Sequence, residues 1–326
     1  MSTYFLGVDI GGTKSHALIA DENGSAVGFG SFGPGNHEEV GYEGLRKVLQ
    51  SVTQQALAMA GLTKAQISAG GFGVAGYDWP SERRPTLEAI ETIGLDVPVE
   101  AVNDTIIGLL AGASQGWGVA VVAGTGTNCW GWDKNHHIGR VTGVGFGEHG
   151  GAGSLIDQAL VSIAYEWTKR GPATRLTSEF LRLTGAKDIP SLIEGIVMGE
   201  YYLGSDHAPV VFQIASQGDP VAQSIIQWAG CELGYTALAV IRQLCIEAQN
   251  FEVVLVGSVY EMGEMLIAPM RQVILTEAPH ACLIRLATPP VVGGVLLAMQ
   301  QFGLDSAMLR DHLIMTTQEL IRQISS

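Results

Sequence analysis

Two glycine- and threonine-rich turns constrain the fold of this chain more than any other feature, because each is placed between two strand-like segments. The first turn occupies residues 11–14 after the apolar segment 4–8, and the second occupies residues 124–127 after the apolar segment 119–122. Each turn leads into another strand-like segment, whereas the glycines of a P-loop or a dinucleotide-binding motif open a helix. A strand–turn–strand unit used twice predicts a duplicated α/β fold in which both turns face one cleft.

Both turns have the composition of a phosphate-binding site. Glycine permits positive φ and close approach of the backbone to a ligand, successive N–H groups form a concave anion site, and threonine adds a hydroxyl donor. We therefore expect the turns to bind a polyphosphate between them. The residues concerned are Gly11, Gly12, Thr13 and Lys14 in the first turn and Gly124, Thr125, Gly126 and Thr127 in the second. Lys14 either neutralises phosphate charge or is an ordinary exposed lysine of a hairpin.

The composition favours a two-domain α/β enzyme. The chain has 326 residues, of which 43 are glycine, 47% are hydrophobic and only 15% are charged, and this argues against disorder. The net charge of −14 disfavours nucleic acid and anionic membranes as partners, since both bind basic surfaces. We expect neither a signal peptide nor a membrane helix. The four cysteines form no CxxC pair and no zinc-finger spacing, so we expect reduced thiols and a cytoplasmic location.

Hydrophobic periodicity and turn residues predict similar orders of elements in the two halves of the chain. In the first half we expect strands at 3–10, 15–20, 25–31, 68–74 and 97–102, and helices at 39–60 and 81–93. In the second half we expect a hairpin at 117–132, a mostly helical region from 154 to about 248, strands at 251–258 and 283–286, and helices that include 262–266, 293–302 and 307–324.

Six short motifs, taken in order along the chain, resemble those of a known family. They are residues 8–14, 33–37, 73–76, 103–104, 123–128 and 254–258. The chain resembles the BadF/BadG/BcrA/BcrD-type ATPases of the sugar kinase, Hsp70 and actin superfamily, a family that includes amino-sugar kinases and hexokinases. The resemblance implies an α/β fold of two ribonuclease H-like (actin-like ATPase) domains with a central cleft. The N-terminal domain is expected at 1–108, joined by the C-terminal helix at about 307–326, and the C-terminal domain at 109–306.

The resemblance also implies where ligands bind. ATP and Mg2+ are expected at the two hairpins, and the acceptor sugar is expected deeper, where the domains close on it. A homodimer is common in the family and is expected here, without a nucleic acid or membrane partner.

Asp104 is the candidate general base. It follows the strand 97–102 at the carboxyl end, where ligands of α/β sheets gather, and the base of the family lies at this position. A carboxylate there can accept the proton of the attacking sugar hydroxyl. Asn103 and Asp104 also suit the cap of the helix that follows, and the two roles are compatible.

Asp9 is the candidate metal residue, because the superfamily uses an aspartate at the end of the first strand to hold Mg2+. A single aspartate suffices, since Mg2+ is commonly bound by one or two carboxylates together with phosphates and waters. The alternative role is stabilisation of the turn. Gly257 and Ser258 match the place where such kinases pack the adenosine, and they also fit an ordinary strand-to-helix turn.

The acceptor pocket is expected to form around Asn36, which follows a Gly-Pro-Gly turn and matches an asparagine that contacts the sugar in this family. Asn36 also fits an Asx turn, and the neighbouring His37 also fits the start of a helix. Tyr77 and Trp79 either stack on a sugar face or pack within the protein. The other candidates for this pocket are Gly76, Asp78, Asn103 and Asp104.

The segment 143–154 departs from the family pattern. It keeps an aromatic-glycine pair and a final Gly-Ser, but the acidic residue expected around Gly151 is missing, and in related kinases that residue binds sugar hydroxyls. Glu148 or His149 replaces it, the acceptor lacks those hydroxyls, or the protein does not phosphorylate a hexose. We include Gly145, Phe146 and Glu148 among the acceptor-binding candidates.

These features predict an ATP-dependent kinase of an amino sugar or hexose, with a sugar 6-phosphate as product. One alternative is an activator ATPase of the same family, which couples hydrolysis to electron transfer through an iron–sulfur cluster bridged by cysteines; no cysteine pair here has such spacing. Another is a non-catalytic sugar or nucleotide sensor, which the retention of Asp9 and Asp104 disfavours. The sequence does not identify the acceptor or the hydroxyl that is phosphorylated.

Overall fold

The computed structural model describes residues 3–141 and 143–325, and its first half forms a mixed five-stranded sheet. The strands are β1 (Tyr4–Ile10), β2 (Ser15–Asp21), β3 (Ala26–Phe32), β4 (Ile67–Val74) and β5 (Val99–Asn103), in the spatial order β3-β2-β1-β4-β5. The first three strands form an antiparallel meander, and β4 and β5 continue the sheet parallel to β1. The turn at residues 11–14 therefore joins β1 to β2, as predicted.

The second half repeats this arrangement. Its strands are β6 (Gly118–Ala123), β7 (Thr127–Trp132), β8 (Ile138–Val141), β9 (Phe251–Val256) and β10 (Ala281–Arg285), in the order β10-β9-β6-β7-β8. Here too the first three strands are antiparallel, and β9 and β10 run parallel to β6. The duplication predicted from the two turns is confirmed.

The edge strand β8 was not predicted from the sequence. It has only four residues, and Ile138 is 56% exposed at the edge of the sheet. A short strand with an exposed apolar residue carries no alternating burial pattern, so hydrophobic periodicity cannot find it.

Eleven α-helices surround the sheets within residues 3–141 and 143–325. They are α1 (His37–Ala60), α2 (Arg83–Glu91), α3 (Asp104–Gly112), α4 (Ala152–Trp167), α5 (Arg175–Thr184), α6 (Ile189–Val197), α7 (Ala208–Ser216), α8 (Pro220–Leu244), α9 (Glu264–Leu275), α10 (Val291–Phe302) and α11 (Ser306–Ser325). Helix α1 starts two residues earlier than expected because the Asn36 side chain caps it, and it is kinked at Gly41. It ends at Gly61 in the left-handed conformation, as predicted.

Helix α8 is long and apolar enough to cross a membrane by length and composition alone. No membrane helix was expected from the sequence. Most of its apolar window, 61%, is buried inside the fold, and the helix packs in the large core that covers the second sheet. Burial of this kind explains why a core helix passes a test designed for membrane spans.

Helices α10 and α11 pack on the first sheet although they come last in the sequence. Val295 and Met299 of α10 and Leu313 of α11 are fully buried in one core cluster with Phe5 and Leu18 of the sheet. Helix α10 thus contacts the first sheet, although it lies within the range 109–306 that was predicted for the C-terminal domain. The predicted domain boundaries remain a proposal.

Helices α3 and α10 cross closely at the centre of the molecule. A Cβ on Gly293 of α10 would lie 1.8 Å from the carbonyl oxygen of Ile107 in α3, so only glycine fits there. At the far end of α3, the Arg310 guanidinium of α11 donates hydrogen bonds to the carbonyl oxygens of Ala111 and Gly112, at 2.7 and 2.6 Å from Nη2. Helix α3 is therefore held in position at its middle by the contact with α10 and at its end by the hydrogen bonds from α11.

Candidate active site

The first glycine turn is open to solvent. Gly12, Thr13 and Lys14 are exposed, and Gly11 is needed because a Cβ there would lie 2.6 Å from the carbonyl oxygen of Lys14. The backbone N–H of Gly35 donates to the carbonyl oxygen of Gly11 at 3.0 Å. This bond brings the Gly-Pro-Gly turn, with its acceptor candidate Asn36, next to the first turn.

The second turn is equally accessible. No other atom lies within 4 Å of a Cβ built on Gly124 or Gly126, and Thr125 is exposed. The start of α4 supports the turn, because the N–H of Ala152 donates to the carbonyl oxygen of Gly124 at 2.8 Å. Thr127 is instead buried, with its hydroxyl 3.4 Å from the carbonyl oxygen of His149, so it supports the turn from below.

The glycines of the two turns were expected to allow positive φ and close approach of a ligand, and the first of these two reasons is wrong. Among the described glycines, those with φ in the left-handed region lie at other positions, and none of Gly11, Gly12, Gly124 and Gly126 is among them. These four glycines serve to leave space above the turn and to allow close backbone contacts within it. The space is the property that an approaching phosphate needs.

Gly257 has the backbone requirement that the two turns lack. Its φ is +113°, and a Cβ would lie 2.3 Å from the carbonyl oxygen of Ala123 at the end of β6. The end of β9 can therefore approach the second turn only with glycine at this position. Ser258 follows and is exposed, on the same rim of the cleft.

Asp104 is the first residue of α3, directly after β5. Asn103 caps this helix by accepting a hydrogen bond from the backbone N–H of Thr105 at 2.9 Å, so the cap and the base candidate are separate residues. Asp104 is half-buried, and its pKa is raised to about 7 by desolvation and then by the negative charges of Asp9 and Asp78. A carboxylate with this pKa is well matched to proton transfer near neutral pH.

Asp9 lies at the end of β1, beside the first turn. It is paired in register with His16 on β2, whose Nδ1 lies 4.0 Å from the Asp9 carboxylate. Within the described ranges, no cluster of three or more histidine, cysteine or acidic side chains is arranged to hold a metal on its own. A single carboxylate beside the turn that is predicted to bind phosphate fits Mg2+, which takes its other ligands from phosphates and water.

The acceptor candidates Asn36, His37 and Gly76 pack against one another. A Cβ on Gly76, whose φ is +79°, would lie 2.3 Å from Asn36 Oδ1 and 3.1 Å from the His37 ring. The His37 side chain is only 7% exposed, lies 3.5 Å from the Glu82 carboxylate and stacks on Tyr42. His37 is thus a buried packing residue beneath the candidate pocket, and Asn36 caps α1.

Asp78 links these residues to the base. Asn103 Nδ2 donates to Asp78 Oδ1 at 2.9 Å and lies 3.3 Å from the carbonyl oxygen of Tyr77. The pKa of Asp78 is raised to about 6, first by desolvation and then by Glu38 and Glu82. Asp78 is, after Asp9, the second carboxylate whose charge raises the pKa of Asp104.

A cavity of about 530 Å³ opens beside Asp78 and Asn103, between the two sheets. Its other walls are aromatic and basic, and several of the side chains come from β7, β8 and the turn between them. We call it the tryptophan–arginine cavity, after the residues Trp79, Trp130, Trp132 and Arg140 that line it. Trp130, Trp132 and Arg140 were missed by sequence reasoning, although the alternation of two tryptophans on β7 was a usable signal.

Most of the segment 143–149 is exposed. Phe146 is 91% exposed, and no atom lies within 4 Å of a Cβ built on Gly145. Glu148 is half-buried, and its predicted role as a substitute acidic ligand remains a proposal. Thr142, which precedes the segment, is outside the described residues.

The family is decided by comparison over nearly the whole chain. A model of the BadF/BadG/BcrA/BcrD ATPase family matches residues 6–298. The chain belongs to this family. The match includes both glycine turns, Asp9, Asp104 and the Gly257–Ser258 pair, so the resemblance stated from six short motifs is confirmed.

Two proteins that are similar to this chain along its sequence are amino-sugar kinases. N-acetylmuramic acid/N-acetylglucosamine kinase of Clostridium acetobutylicum is 26% identical over 305 residues, which cover 91% of this chain and 99% of the relative. N-acetyl-D-glucosamine kinase of Dictyostelium discoideum is 25% identical over 314 residues, covering 90% and 97%. Among solved structures, a ROK family glucokinase from Streptomyces griseus in complex with glucose and AMPPNP has a TM-score of 0.57 at 21% identity, covering 92% of this chain and 100% of that one. The fold of this BadF-family chain is therefore the two-domain sugar-kinase fold.

Proposed function

We propose that the protein transfers the γ-phosphoryl group of ATP to a hydroxyl of an N-acetylated amino sugar, with a sugar 6-phosphate as product. The observation that carries this proposal is the half-buried Asp104 carboxylate, with its pKa raised to about 7, in the cleft that the two glycine turns border. The two amino-sugar kinases to which the chain is similar over their full length support this choice of acceptor.

In the proposed reaction, the two turns hold ATP and Asp104 activates the acceptor. The sugar hydroxyl oxygen attacks the γ-phosphorus, the bond from that phosphorus to the bridging oxygen breaks, and ADP leaves with the electron pair. Asp104 takes the hydroxyl proton as the new bond forms. Positioning and charge stabilisation account for most of the rate in such transfers.

Asp9 is the residue we assign to Mg2+, which when bound neutralises charge on the phosphates. The N–H groups of the turns at 11–14 and 124–127 supply further positive potential. We assign the exposed Ser258 and the close-packed Gly257 to the adenosine side of the cleft, because they border the second turn.

The test is ADP release with Mg2+-ATP, measured with N-acetylglucosamine, glucosamine, N-acetylmannosamine, glucose and no sugar. We expect an N-acetylated sugar to stimulate ADP release, and we expect mass spectrometry to find the matching sugar phosphate. ADP release that is the same with every sugar and without sugar would overturn the proposal.

A further inference from the structure

The tryptophan–arginine cavity holds a cation in an unusual position. The Arg140 guanidinium lies over the ring of Trp79 and over the ring of Trp130, with its central carbon 5.1 Å from each centroid. Trp79 belongs to the N-terminal half and Trp130 to β7, so Arg140 joins the two walls of the cavity. Aromatic faces attract a guanidinium and remove water from it, which leaves its N–H edge as the polar part.

Arg140 forms no direct ion pair with a described side chain, although its charge acts through space on Asp78 across the cavity and lowers the pKa of that carboxyl. The ion pairs that the described arginines form involve other positions, and Arg140 takes part in none of them. The chain has 32 acidic residues against 18 basic ones, so carboxylates are abundant. Asp78 therefore compensates the Arg140 charge only from a distance, and the guanidinium N–H groups can still bind the carboxylate of a ligand directly.

The other arginine of the cavity shows the contrast. Arg83 lies 3.6 Å from the Glu100 carboxylate and has Tyr77 as a further partner. Its charge is therefore already compensated within the protein. Of the two arginines, Arg140 is the one without a direct ion pair, so its N–H groups can form one with a bound molecule.

Two further donors on the same wall lack partners. The indole nitrogens of Trp130 and Trp132 are buried, and neither has a hydrogen-bond partner among the described residues. The two side chains are only 6% and 5% exposed, and a buried indole N–H ordinarily finds an acceptor. Three donor groups without acceptors favour a ligand that brings oxygen atoms.

The cavity is continuous with the proposed acceptor site. Asp78 and Asn103 line it, and Asn103 directly precedes Asp104 in the chain. A sugar whose hydroxyl meets Asp104 would have a ring substituent within reach of this space. The volume of about 530 Å³ is within the range of small-molecule sites.

We propose that the tryptophan–arginine cavity is an acceptor subsite for a carboxylate-bearing substituent on the amino sugar, and that Arg140 binds this carboxylate and sets the preference for it. The proposal rests on the proposed kinase function. A planar guanidinium with covered faces presents its edge to a carboxylate, which it can bind with two parallel hydrogen bonds. Exclusion of water by the tryptophans strengthens that contact.

The experiment compares an acidic acceptor with its neutral ester. N-acetylmuramic acid carries a lactic acid ether on O3, and its methyl ester has nearly the same shape without the charge. We expect wild-type kcat/KM to be at least 10-fold higher for the acid, and we expect Arg140→Gln to reduce this ratio by at least 10-fold, mainly through KM. Arg84→Gln, at an exposed arginine outside the cavity, is the matched control and should keep the wild-type ratio.

The ratio of acid to ester is the decisive readout, because a general loss of activity in Arg140→Gln affects both acceptors and cancels. Titration calorimetry with N-acetylmuramic acid should show the same loss of affinity in Arg140→Gln. Equal kcat/KM for acid and ester in the wild type, or an unchanged ratio in Arg140→Gln, would overturn the inference. So would a preference for a neutral aryl N-acetylglucosaminide, which would mean that the cavity binds an aglycone.

The failure of the inference and the failure of the proposed function give different results. If N-acetylglucosamine stimulates ADP release but the acid has no advantage over its ester, only the subsite is wrong. If no sugar stimulates ADP release, the kinase function is wrong, and the subsite falls with it.

Discussion

At the scale of single residues, the chemistry depends on one carboxyl, Asp104, whose pKa is raised by burial and by two neighbouring carboxylates. Asp104 is desolvated at the start of α3 and lies near the charges of Asp9 and Asp78. A base must be ionised to accept a proton, so the rate of transfer should increase as the pH rises through about 7.

Replacing Asp104 with asparagine tests the base directly. We expect Asp104→Asn to lower kcat by about 10²-fold or more, since a positioned base typically contributes 10²–10⁴-fold, while ATP affinity stays close to that of the wild type. Steady-state kinetics and calorimetric titration with ATP provide the two values. A variant that retains wild-type kcat would show that the proton goes elsewhere.

The same substitution should change how stability depends on pH. The folded state raises the pKa of Asp104 above its ordinary value, so it binds the proton more tightly than the unfolded chain does. The resulting stabilisation is complete below about pH 4 and is lost as the pH rises through about 7. We therefore expect the Tm of Asp104→Asn relative to wild type to be higher at pH 8 than at pH 5, measured by calorimetry. Glu319→Gln, on an exposed part of α11, is the control, and a Tm difference independent of pH would contradict the raised pKa.

The role of a single residue could be predicted from the sequence where it depends on the residues next to it in the chain. Asp9 lies at the end of a strand and Asp104 directly follows one, so both positions can be placed from the sequence. Arg140 acquires its role from two tryptophans distant in sequence, and His37 is buried by Glu82 and Tyr42, so neither environment is written in the neighbouring residues.

At the scale of elements, the two sheets place the ends of their strands around one cleft. The paired antiparallel and parallel strands of each half recur in the same order, and this was predictable from the two repeated hairpins. The strand β8 was not, because it has only four residues, of which the apolar Ile138 is exposed and the buried one is a glycine, so they give no periodic hydrophobic signal. That short strand nevertheless carries Arg140, so the least predictable element supplies the proposed specificity.

The contact between the end of β9 and the end of β6 gives a prediction at this scale. Gly257→Ala would place a methyl group 2.3 Å from the carbonyl oxygen of Ala123 at a positive φ, and strain of 1–3 kcal/mol is typical for such a residue. We expect KM for ATP to rise by roughly 10-fold while KM for the sugar is unchanged.

The matched control is Gly263→Ala. Gly263 also has a positive φ, but no other atom lies within 4 Å of a Cβ built there. If both variants raised KM for ATP equally, the effect would come from backbone strain in general and not from the contact with Ala123.

At the scale of the whole molecule, the crossing of α3 and α10 connects the two halves. Gly293→Ala would place a methyl group 1.8 Å from the carbonyl oxygen of Ile107, and the helices must separate to accept it. Because Asp104 starts α3, we expect a loss of stability of about 1–3 kcal/mol together with a lower kcat. Urea unfolding and steady-state kinetics measure the two effects.

Gln301→Ala is the control for this prediction, because Gln301 is exposed on the same helix. It should leave both stability and kcat close to the wild-type values. Wild-type stability in Gly293→Ala would show that the crossing tolerates a wider separation than its close contact indicates.

The packing of α10 and α11 on the first sheet has a consequence for how the protein is made. A ribosome produces β1 to β5 first, but one face of their sheet stays uncovered until Val295, Met299 and Leu313 have been added. The second sheet and the helices around it are contiguous in the chain and can assemble in the meantime. The first sheet can therefore complete its core only after α10 and α11 have been synthesised.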